Sequence, residues 1–429
     1  MKYETINNDL FKFNRKNFTE KLQRNSIAIF HSSDEFPRSG DQHFPFKQNA
    51  DIFYLSGIDQ EKSILVLFPD SPDPKFREAL FLLKTDEHIA VWEGHKYTKE
   101  EARQVSGIQS VFWLDSFDKV LPSLLHYAER IYLNSNENDR YVHTVPYRDL
   151  RFGLDLMNRF PLHQYARSAP LMRELREIKS TIEVELIRKA CEITEAAFRR
   201  VLRFVKPGVK EYEIEAEIIH EFIRRRASGH AYHPIIASGT NACVLHYAEN
   251  NRECRDGEVI LMDFGAEYAN YNADLSRSIP VNGRFTDRQR AVYNAVLRVM
   301  KESIHLLVPG TLPAEYNREV GKIMESELLG LGLISRHDVE KQREDMPVYK
   351  KYFMHGISHH LGLDVHDIGH RYRKMEPGMV FTCEPGIYIP EEGLGIRLEN
   401  NILITADGNV DLMTGIPLEA EEIEELMNG

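Results

Sequence analysis

The sequence predicts an α+β protein of two domains, the second of which is internally duplicated. Short strand-like runs alternate with helical segments as far as about Leu171. Beyond that point, two long helices followed by strand-like runs occur twice in succession, which indicates a duplicated domain with strands at its centre. The chain of 429 residues is also long for a single hydrophobic core. We therefore expect a smaller mixed-sheet α/β domain over residues 1–172 and a larger duplicated domain over residues 173–429.

Seven short runs in the first part are rich in Ile, Val, Phe and Tyr, a composition typical of strands. They are SIAIFHSS, DIFYLSG, SILVLFPD, EALFLLKT, HIAVWEG, SVFWLDS and RIYLNS. The segments NFTEKLQRN and TKEEARQVS have helical character, so we expect helices among the strands of a mixed sheet. Trp92 and His95 lie at the end of one predicted strand, where a structural or interface position is the simplest interpretation.

Four long helices are predicted in the second part. The segment from Leu171 to Val205 has apolar residues at helical spacing, and Ser180 followed by Glu183 matches a capping box that would begin a new helix. A second helix follows the Lys-Pro-Gly breaker that ends at residue 208, and a third is expected over residues 286–307. The fourth covers AEYNREVGKIMESELLG.

Composition and charge exclude some classes of partner. The 54 basic and 66 acidic residues give a formal charge of −12, which disfavours nucleic acid and anionic membrane surfaces as partners. The four cysteines show no C-x-x-C spacing and so no disulfide framework. The N-terminal segment has no apolar signal core, and no apolar run is long enough to span a bilayer. We expect a cytoplasmic protein.

The stretch from Glu258 to Val281 has the pattern of a β-hairpin with one aspartate in each arm, Asp263 and Asp274. Asp263 shares a strand face with apolar residues. A carboxylate in that position is costly unless it is paired or binds a metal ion. A cation between the two aspartates would also relieve their repulsion. Two aspartates satisfied by turns or salt bridges are the alternative from this segment alone.

A second pair of acids occurs near the C-terminus. Glu384 lies in a strand-like run just before Pro385, and Glu399 shares a predicted strand face with Arg397. Between the acid pairs lies a cluster of five histidines: His355, His359, His360, His366 and His370. Four carboxylates and one imidazole suit Mn²⁺, Co²⁺, Fe²⁺ or Zn²⁺. Bridging carboxylates would hold two such ions about 3.5–4 Å apart and acidify a shared water into a nucleophile.

These segments resemble the aminopeptidase P, prolidase and methionine aminopeptidase superfamily of metallopeptidases, which has the pita-bread fold. The resemblance covers essentially the whole chain, and its N-terminal block FPFKQNADIFYLSG is similar to the aminopeptidase P N-terminal domain. It implies a creatinase-like arrangement, with a mixed-sheet domain before a pita-bread domain that has internal pseudo-twofold symmetry. The matching segments of the second half are HYAEN, LMDFGAEYANYNADLSRSIPVNG, FMHGISHHLGLDVHD, EPGMVFTCEPGIYIP and GIRLENNILIT.

The resemblance implies a role for ten residues. Two divalent ions, with Mn²⁺ favoured and Co²⁺ or Zn²⁺ possible, would be held by Asp263, Asp274, His359, Glu384 and Glu399. Asp274 and Glu399 would contact both ions, and Glu384 would also transfer the catalytic proton. The substrate pocket would be lined by His246, His355, His366, Tyr388 and Arg397, with the three histidines and Arg397 also contributing to catalysis. Taken alone, His246 is more often a core or loop histidine, and Arg397 could simply pair with a carboxylate.

The activity that this resemblance implies is release of the N-terminal residue from peptides with proline in the second position. A prolidase that cleaves Xaa-Pro dipeptides shares the same ligands and is the nearest alternative. A pita-bread protein that binds without catalysis would usually lack ligands, and here all five are present. Relatives form dimers or tetramers, so we expect a homo-oligomer. The N-terminal domain would narrow access to the site, and Trp92 would either reach the mouth of a site or pack in its own domain core.

Overall fold

The structure, a computed structural model, describes residues 3–138, 140 and 144–429. It comprises two units that follow one another in the sequence: Glu4–Arg176 forms the first, and Glu177–Gly429 together with Tyr3 forms the second. The predicted boundary after residue 172 falls inside the last helix of the first unit. None of the helices in the described residues has the length and apolar character needed to cross a bilayer.

A six-stranded mixed sheet forms the centre of the first unit. The unit's strands are β1 (Ser26–His31), β2 (Pro37–Ser39), β3 (Gln42–His43), β4 (Ile64–Leu67), β5 (Glu78–Leu82), β6 (Ser110–Trp113), β7 (Arg130–Leu133) and β8 (Gln164–Arg167). The sheet order is β6-β5-β4-β1-β7-β8, while β2 and β3 form a separate hairpin. β1 pairs antiparallel with β4 and parallel with β7, which confirms the expected mixed sheet.

The described part of this unit also contains α-helices. They are α1 (Asp9–Glu20), α2 (Ala50–Ser56), α3 (Glu87–Glu93), α4 (Lys99–Ser106), α5 (Phe117–Tyr127), α6 (Arg148–Arg159) and α7 (Ala169–Arg176). Ile27 and Ile29 of β1, Val66 of β4, and Leu121 and Leu125 of α5 belong to one buried cluster. Burial of this cluster supplies hydrophobic stabilisation of the unit.

Two of the seven predicted strands are helices. The run DIFYLSG forms α2, and HIAVWEG forms α3. Asn49 and Asp86 cap these helices by accepting hydrogen bonds from main-chain N–H groups of the first turn. Gly57 ends α2 at a φ of 68°, a conformation that glycine adopts without strain. Local capping therefore overrides a side-chain composition that is typical of strands.

The second unit has the predicted repeat of element order. Its helices are α8 (Thr181–Phe204), α9 (Glu211–Arg224), α10 (Asp287–Leu306), α11 (Pro313–Gly330), α12 (Arg336–Lys341) and α13 (Ala420–Asn428). The pairs α8–α9 and α10–α11 each precede a set of strands. The capping box predicted at Ser180 and Glu183 is confirmed at the start of α8.

The strands of the second unit form several small sheets. They are β9 (Gly229–His230), β10 (Ile235–Ser238), β11 (Val259–Asp263), β12 (Ala266–Tyr268), β13 (Tyr271–Asn272), β14 (Ser276–Pro280), β15 (Val380–Cys383), β16 (Gly386–Ile389), β17 (Leu394–Arg397), β18 (Asn400–Thr405) and β19 (Gly408–Asp411). The sheet orders are β10-β11-β14, β13-β12-β9, β15-β18-β19 and β16-β17. β11 pairs antiparallel with β14, so the predicted hairpin is confirmed.

Candidate active site

The four acids singled out in the sequence all lie where the chain passes from one small sheet to another. Asp263 ends β11, and Asp274 lies between β13 and β14. Glu384 lies between β15 and β16, and Glu399 between β17 and β18. Strand pairing stops at Glu384 and Pro385, so β15 and β16 belong to different sheets. Such interruptions re-aim side chains and are frequent beside functional sites.

Asp263 and Asp274 are linked by a tyrosine. The Tyr232 hydroxyl oxygen lies 2.6 Å from Asp263 Oδ1 and 2.5 Å from Asp274 Oδ1. A hydroxyl has one proton to donate, so it fully satisfies only one of two ionised carboxylates. The arms of the hairpin approach closely beside these acids, since a Cβ on Gly265 would lie 1.7 Å from the carbonyl oxygen of Ala273. The single Tyr232 proton therefore cannot satisfy both Oδ1 atoms at once.

The second acid pair faces the same hairpin. Ser276 Oγ donates to Glu399 Oε2 at 2.8 Å and accepts from Arg397 Nε at 2.8 Å. The side-chain amide of Asn401 holds the main chain of Asp274, accepting from its N–H at 3.1 Å and donating to its carbonyl at 2.7 Å. Glu399 Oε1 is buried and has no hydrogen-bond partner among the described residues. An ionised oxygen left in that state is costly unless a cation binds it.

Arg397 connects Asp263 to a tyrosine–histidine chain. Its Nη2 donates to Asp263 Oδ2 at 2.6 Å, and its Nη1 donates to the Tyr388 hydroxyl at 2.9 Å. The Tyr388 hydroxyl lies 2.8 Å from His355 Nε2, and His355 Nδ1 lies 2.7 Å from the carbonyl oxygen of Gly356. Since a carbonyl only accepts, Nδ1 carries the proton and Nε2 accepts from Tyr388. Burial and the charge of Arg397 lower the pKa of His355 to about 3, so its imidazole is neutral.

His359 presents one ring nitrogen to the acids. Its main-chain N–H donates to Thr382 Oγ1 at 3.1 Å, and its Nδ1 donates to the carbonyl oxygen of His360 at 3.0 Å. The second nitrogen, Nε2, lies 3.4 Å from Asp274 Oδ2 and 3.6 Å from Glu384 Oε1. A histidine that ligates a metal commonly donates its other ring N–H to a carbonyl in this way.

The donor set fits divalent metal ions. One ligand atom from each of Asp274, His359 and Glu399 lies within 4.8 Å of the others. Asp263 joins this group through the shared tyrosine, and Glu384 joins it through His359. Carboxylate oxygens with one imidazole nitrogen are donors that first-row divalent ions accept. The unpartnered oxygen of Glu399 supports the same conclusion.

The pKa values reflect crowding of buried carboxylates. Burial raises the pKa of Glu384 to about 7, and burial with the neighbouring acids raises the pKa of Glu399 well above its ordinary value. Burial also raises the pKa of Asp263. For Asp274, burial acts upward, but its interactions with His359, Tyr232 and His366 together outweigh burial and the pKa is lowered. Burial and mutual repulsion thus oppose ionisation of these acids, and bound divalent ions would offset both effects.

Two further histidines of the predicted site are His366, which lies against His359, and His246, which lies near His355. The ring of His366 lies edge-to-face with that of His359, with centroids 4.3 Å apart, and the residue is exposed. His246 is exposed on the segment after β10, close enough to His355 to contribute to lowering the pKa of that residue. Both histidines can therefore meet a bound molecule.

Two contributing residues were not singled out in the sequence. Tyr232 lies 31 residues before Asp263 in a segment predicted only as strands with loops, and Ser276 lies in the hairpin as one of several polar residues. Neither shows a periodic or motif signal. Tyr232 could be found only from its position beside the two aspartates.

Comparisons with known proteins agree with this site. The profile of metallopeptidase family M24 matches residues 185–406, and that of the aminopeptidase P N-terminal domain matches residues 11–132. The Xaa-Pro aminopeptidase of Escherichia coli strain K12 is 36% identical, with 98% of each chain covered. The Xaa-Pro dipeptidase of Rattus norvegicus is 29% identical, covering 98% of this chain and 94% of the relative.

A solved structure extends the likeness to the whole fold. Zinc-substituted aminopeptidase P of Escherichia coli, determined in complex with product, superposes with a TM-score of 0.88 at 35% identity, covering 99% of both chains. The expected mixed-sheet domain followed by a duplicated pita-bread domain is thereby confirmed. Membership of the M24 family implies a two-metal site, in keeping with the donor set described above. The chain is a metallopeptidase of family M24 and belongs to the aminopeptidase P family.

Proposed function

We propose that this enzyme releases the N-terminal residue from peptides that have proline in the second position. The observation that supports this most directly is the convergence of Asp274, Glu384 and Glu399 on His359, with Glu399 Oε1 left without a partner among the described residues. The Xaa-Pro aminopeptidase of Escherichia coli, similar over nearly the full length of both chains, gives the reaction class.

The residues that would hold two divalent ions are Asp263, Asp274, His359, Glu384 and Glu399. Hard oxygen donors favour Mn²⁺, with Co²⁺ and Zn²⁺ as alternatives. Bound ions of this kind polarise a scissile carbonyl and lower the pKa of a water molecule. Because the acids lie at sheet transitions held by paired strands, the protein would pre-form this site before substrate arrives.

The protein's own groups would move the proton and orient the peptide. Glu384 takes a proton from the attacking water and returns it to the departing proline nitrogen. His366 and His246, both exposed beside the centre, would donate to the oxygen that becomes negative as the bond breaks. The chain from Arg397 through Tyr388 keeps His355 neutral and fixed, so it would line the pocket as an oriented polar group.

The chemistry suits a bond before proline. Such a bond is a tertiary amide without N–H, so enzymes that recognise that N–H lose a contact. A site that acts on the carbonyl and the free amino end does not need it. An Xaa-Pro dipeptidase remains the second candidate, since the rat relative of that name matches over nearly the same length. We further propose a homo-oligomer, and the cytoplasmic location stays a prediction.

The test is hydrolysis by protein freed of metal and reconstituted with Mn²⁺, Co²⁺ or Zn²⁺. Xaa-Pro-Yaa peptides should be cleaved faster than Xaa-Pro dipeptides, and about two ions should bind per chain. Glu384→Gln should bind the peptide but lose about 10²–10⁴-fold in kcat, because an amide cannot carry the proton. Glu392→Gln, at a glutamate paired with Arg288, is the matched control.

Three outcomes would overturn parts of the proposal. Faster cleavage of dipeptides would replace it with the dipeptidase assignment. Absence of both metal binding and hydrolysis would leave a binding protein. Near wild-type kcat in fully metallated Glu384→Gln would remove the proton-transfer role of that residue.

A further inference from the structure

A loop between His360 and Asp367 sets the orientation of His359. The carbonyl oxygen of His360 accepts two hydrogen bonds, from His359 Nδ1 at 3.0 Å and from the main-chain N–H of Asp367 at 2.9 Å. The first bond fixes which nitrogen of His359 carries the proton, and the second closes the loop. His366, the residue before Asp367, places its ring against His359. The contacts that hold this loop in place therefore affect the positions of both His359 and His366.

A buried ion pair holds one side of the loop. Lys179 Nζ lies 3.0 Å from Asp367 Oδ2, and each side chain is 1% exposed. Asp367 Oδ1 accepts from the main-chain N–H of Ile368 at 3.0 Å. The packing is tight, because a Cβ on Gly362 would lie 2.1 Å from Asp367 Oδ2 and 3.0 Å from Lys179 Cε. Lys179 lies two residues before α8, and its own N–H donates to the carbonyl of Gly378 at 2.8 Å.

The hairpin holds the other side of the loop. The Asn272 side chain donates to the carbonyl oxygens of Gly362 at 3.0 Å and Leu363 at 2.9 Å, and its main-chain N–H also donates to Gly362 at 3.0 Å. Asn272 lies two residues before Asp274. The loop is thus fixed between the start of α8 and the arm that carries one of the acids.

We propose that Lys179, through its ion pair with Asp367, is a positioning residue for His359 and His366. A buried ion pair is weak support for stability alone, because desolvation offsets much of its attraction. Here the pair joins the start of α8 to the loop whose carbonyl determines the tautomer of His359. The proposal rests on the proposed function, since it assigns Lys179 a role in metal binding and turnover.

The test compares Lys179→Met with Arg176→Met. Arg176 forms a similarly buried ion pair with Asp51 at 2.8 Å, but in the first unit, so its loss should reduce stability without reaching the metal centre. In Lys179→Met we expect Mn²⁺ affinity to fall about 10–100-fold, the range for groups that orient ligands. In metal-free protein labelled with ¹⁵N-histidine, the Nδ1–H signal of His359 should lose the signature of its hydrogen bond to the His360 carbonyl. Arg176→Met should change neither property.

The double variant Lys179→Met/Asp367→Asn separates positioning from charge balance. It removes both charges, so a variant that regains stability but stays weak in Mn²⁺ binding supports positioning. Recovery of wild-type affinity in the double variant would overturn the proposal, because the pair would then matter only as unbalanced charge. An unchanged Nδ1–H hydrogen bond of His359 and an unchanged Mn²⁺ affinity in Lys179→Met would also overturn it. If wild-type protein binds no Mn²⁺ while the variant loses that hydrogen bond, the proposed function fails and the positioning of His359 stands.

Discussion

Ser276 joins the two acid pairs through a single hydroxyl group. It donates to Glu399, an acid of the second pair, and accepts from Arg397, which in turn donates to Asp263 of the first. Asp263 and Glu399 are far apart in sequence, so the Ser276 hydroxyl and Arg397 link the positions of the two carboxylates in the folded chain. It also fixes which oxygen of Glu399 is bonded and which, Oε1, remains available for a cation.

We therefore expect Ser276→Ala to weaken metal binding. The change leaves Glu399 Oε2 and Arg397 Nε each short of a partner, and a buried group left unsatisfied costs about 1–3 kcal/mol. Mn²⁺ affinity measured by calorimetry should fall about 10-fold or more. Ser278→Ala is the control, because Ser278 is equally buried on the same strand but bonds only to main-chain atoms of Arg397. Equal Mn²⁺ affinities of the two variants would contradict the role of Ser276.

Some residues of the site could be identified from the sequence, and others could not. Asp263 and Glu399 were identifiable because a carboxylate among apolar strand residues is costly and so conspicuous. Tyr232 and Ser276 were not, because tyrosine and serine are unremarkable in strands and loops, and only the folded chain shows their partners. The sequence thus pointed to these acids, whereas the hydrogen bonds around them are visible only in the folded chain.

At the scale of elements, the hairpin β11–β14 depends on the close passage of Gly265 and Ala273. We expect Gly265→Ala to lower the free energy of unfolding by roughly 3 kcal/mol, because its Cβ would overlap the Ala273 carbonyl and force the arms apart. Since Asp263 and Asp274 lie on those arms, metal binding should weaken as well. Thermal unfolding with and without Mn²⁺ measures both effects.

Gly330→Ala is the control for that change. Gly330 ends α11 without a positive φ, and a Cβ added there would meet no neighbouring atom within 4 Å, so alanine should be neutral or slightly stabilising. Wild-type stability of Gly265→Ala would show that the hairpin relaxes at little cost. In that case the site would be less rigid than the paired strands indicate.

Secondary structure was predicted correctly from the sequence where two independent signals agree. β11 is apolar and pairs along its length with β14, and α8 carries a complete capping box, so pattern and local chemistry agree. In α2 and α3 they disagree. Each run is only seven residues long and rich in Ile, Phe, Tyr or Val, yet a capping Asn or Asp before it and a glycine after it favour a helix.

For the whole molecule, α3 of the first unit exposes two large apolar residues that are consecutive in the sequence. Val91 is 80% exposed and Trp92 is 78% exposed, so Trp92 does not pack in the core of its own unit. Adjacent exposed apolar side chains of this size are typical of surfaces that become buried on association. This favours the interface interpretation of Trp92 among those the sequence left open, and it supports the proposed homo-oligomer.

We predict that light scattering will give a mass of two or more chains and that Trp92→Ala will lower it or raise the concentration at which the assembly dissociates. Removing a large aromatic anchor from an interface typically costs about 2 kcal/mol or more of binding energy. Leu162→Ala is the control, because Leu162 is 97% exposed on the same unit but is a single apolar side chain away from α3 in sequence. Measuring kcat/KM on Xaa-Pro-Yaa peptides then shows whether association matters for activity. A mass of one chain together with an unchanged kcat/KM in Trp92→Ala would rule out both the homo-oligomer and a role for Trp92. The proposed metal site and the peptidase assignment would be unaffected.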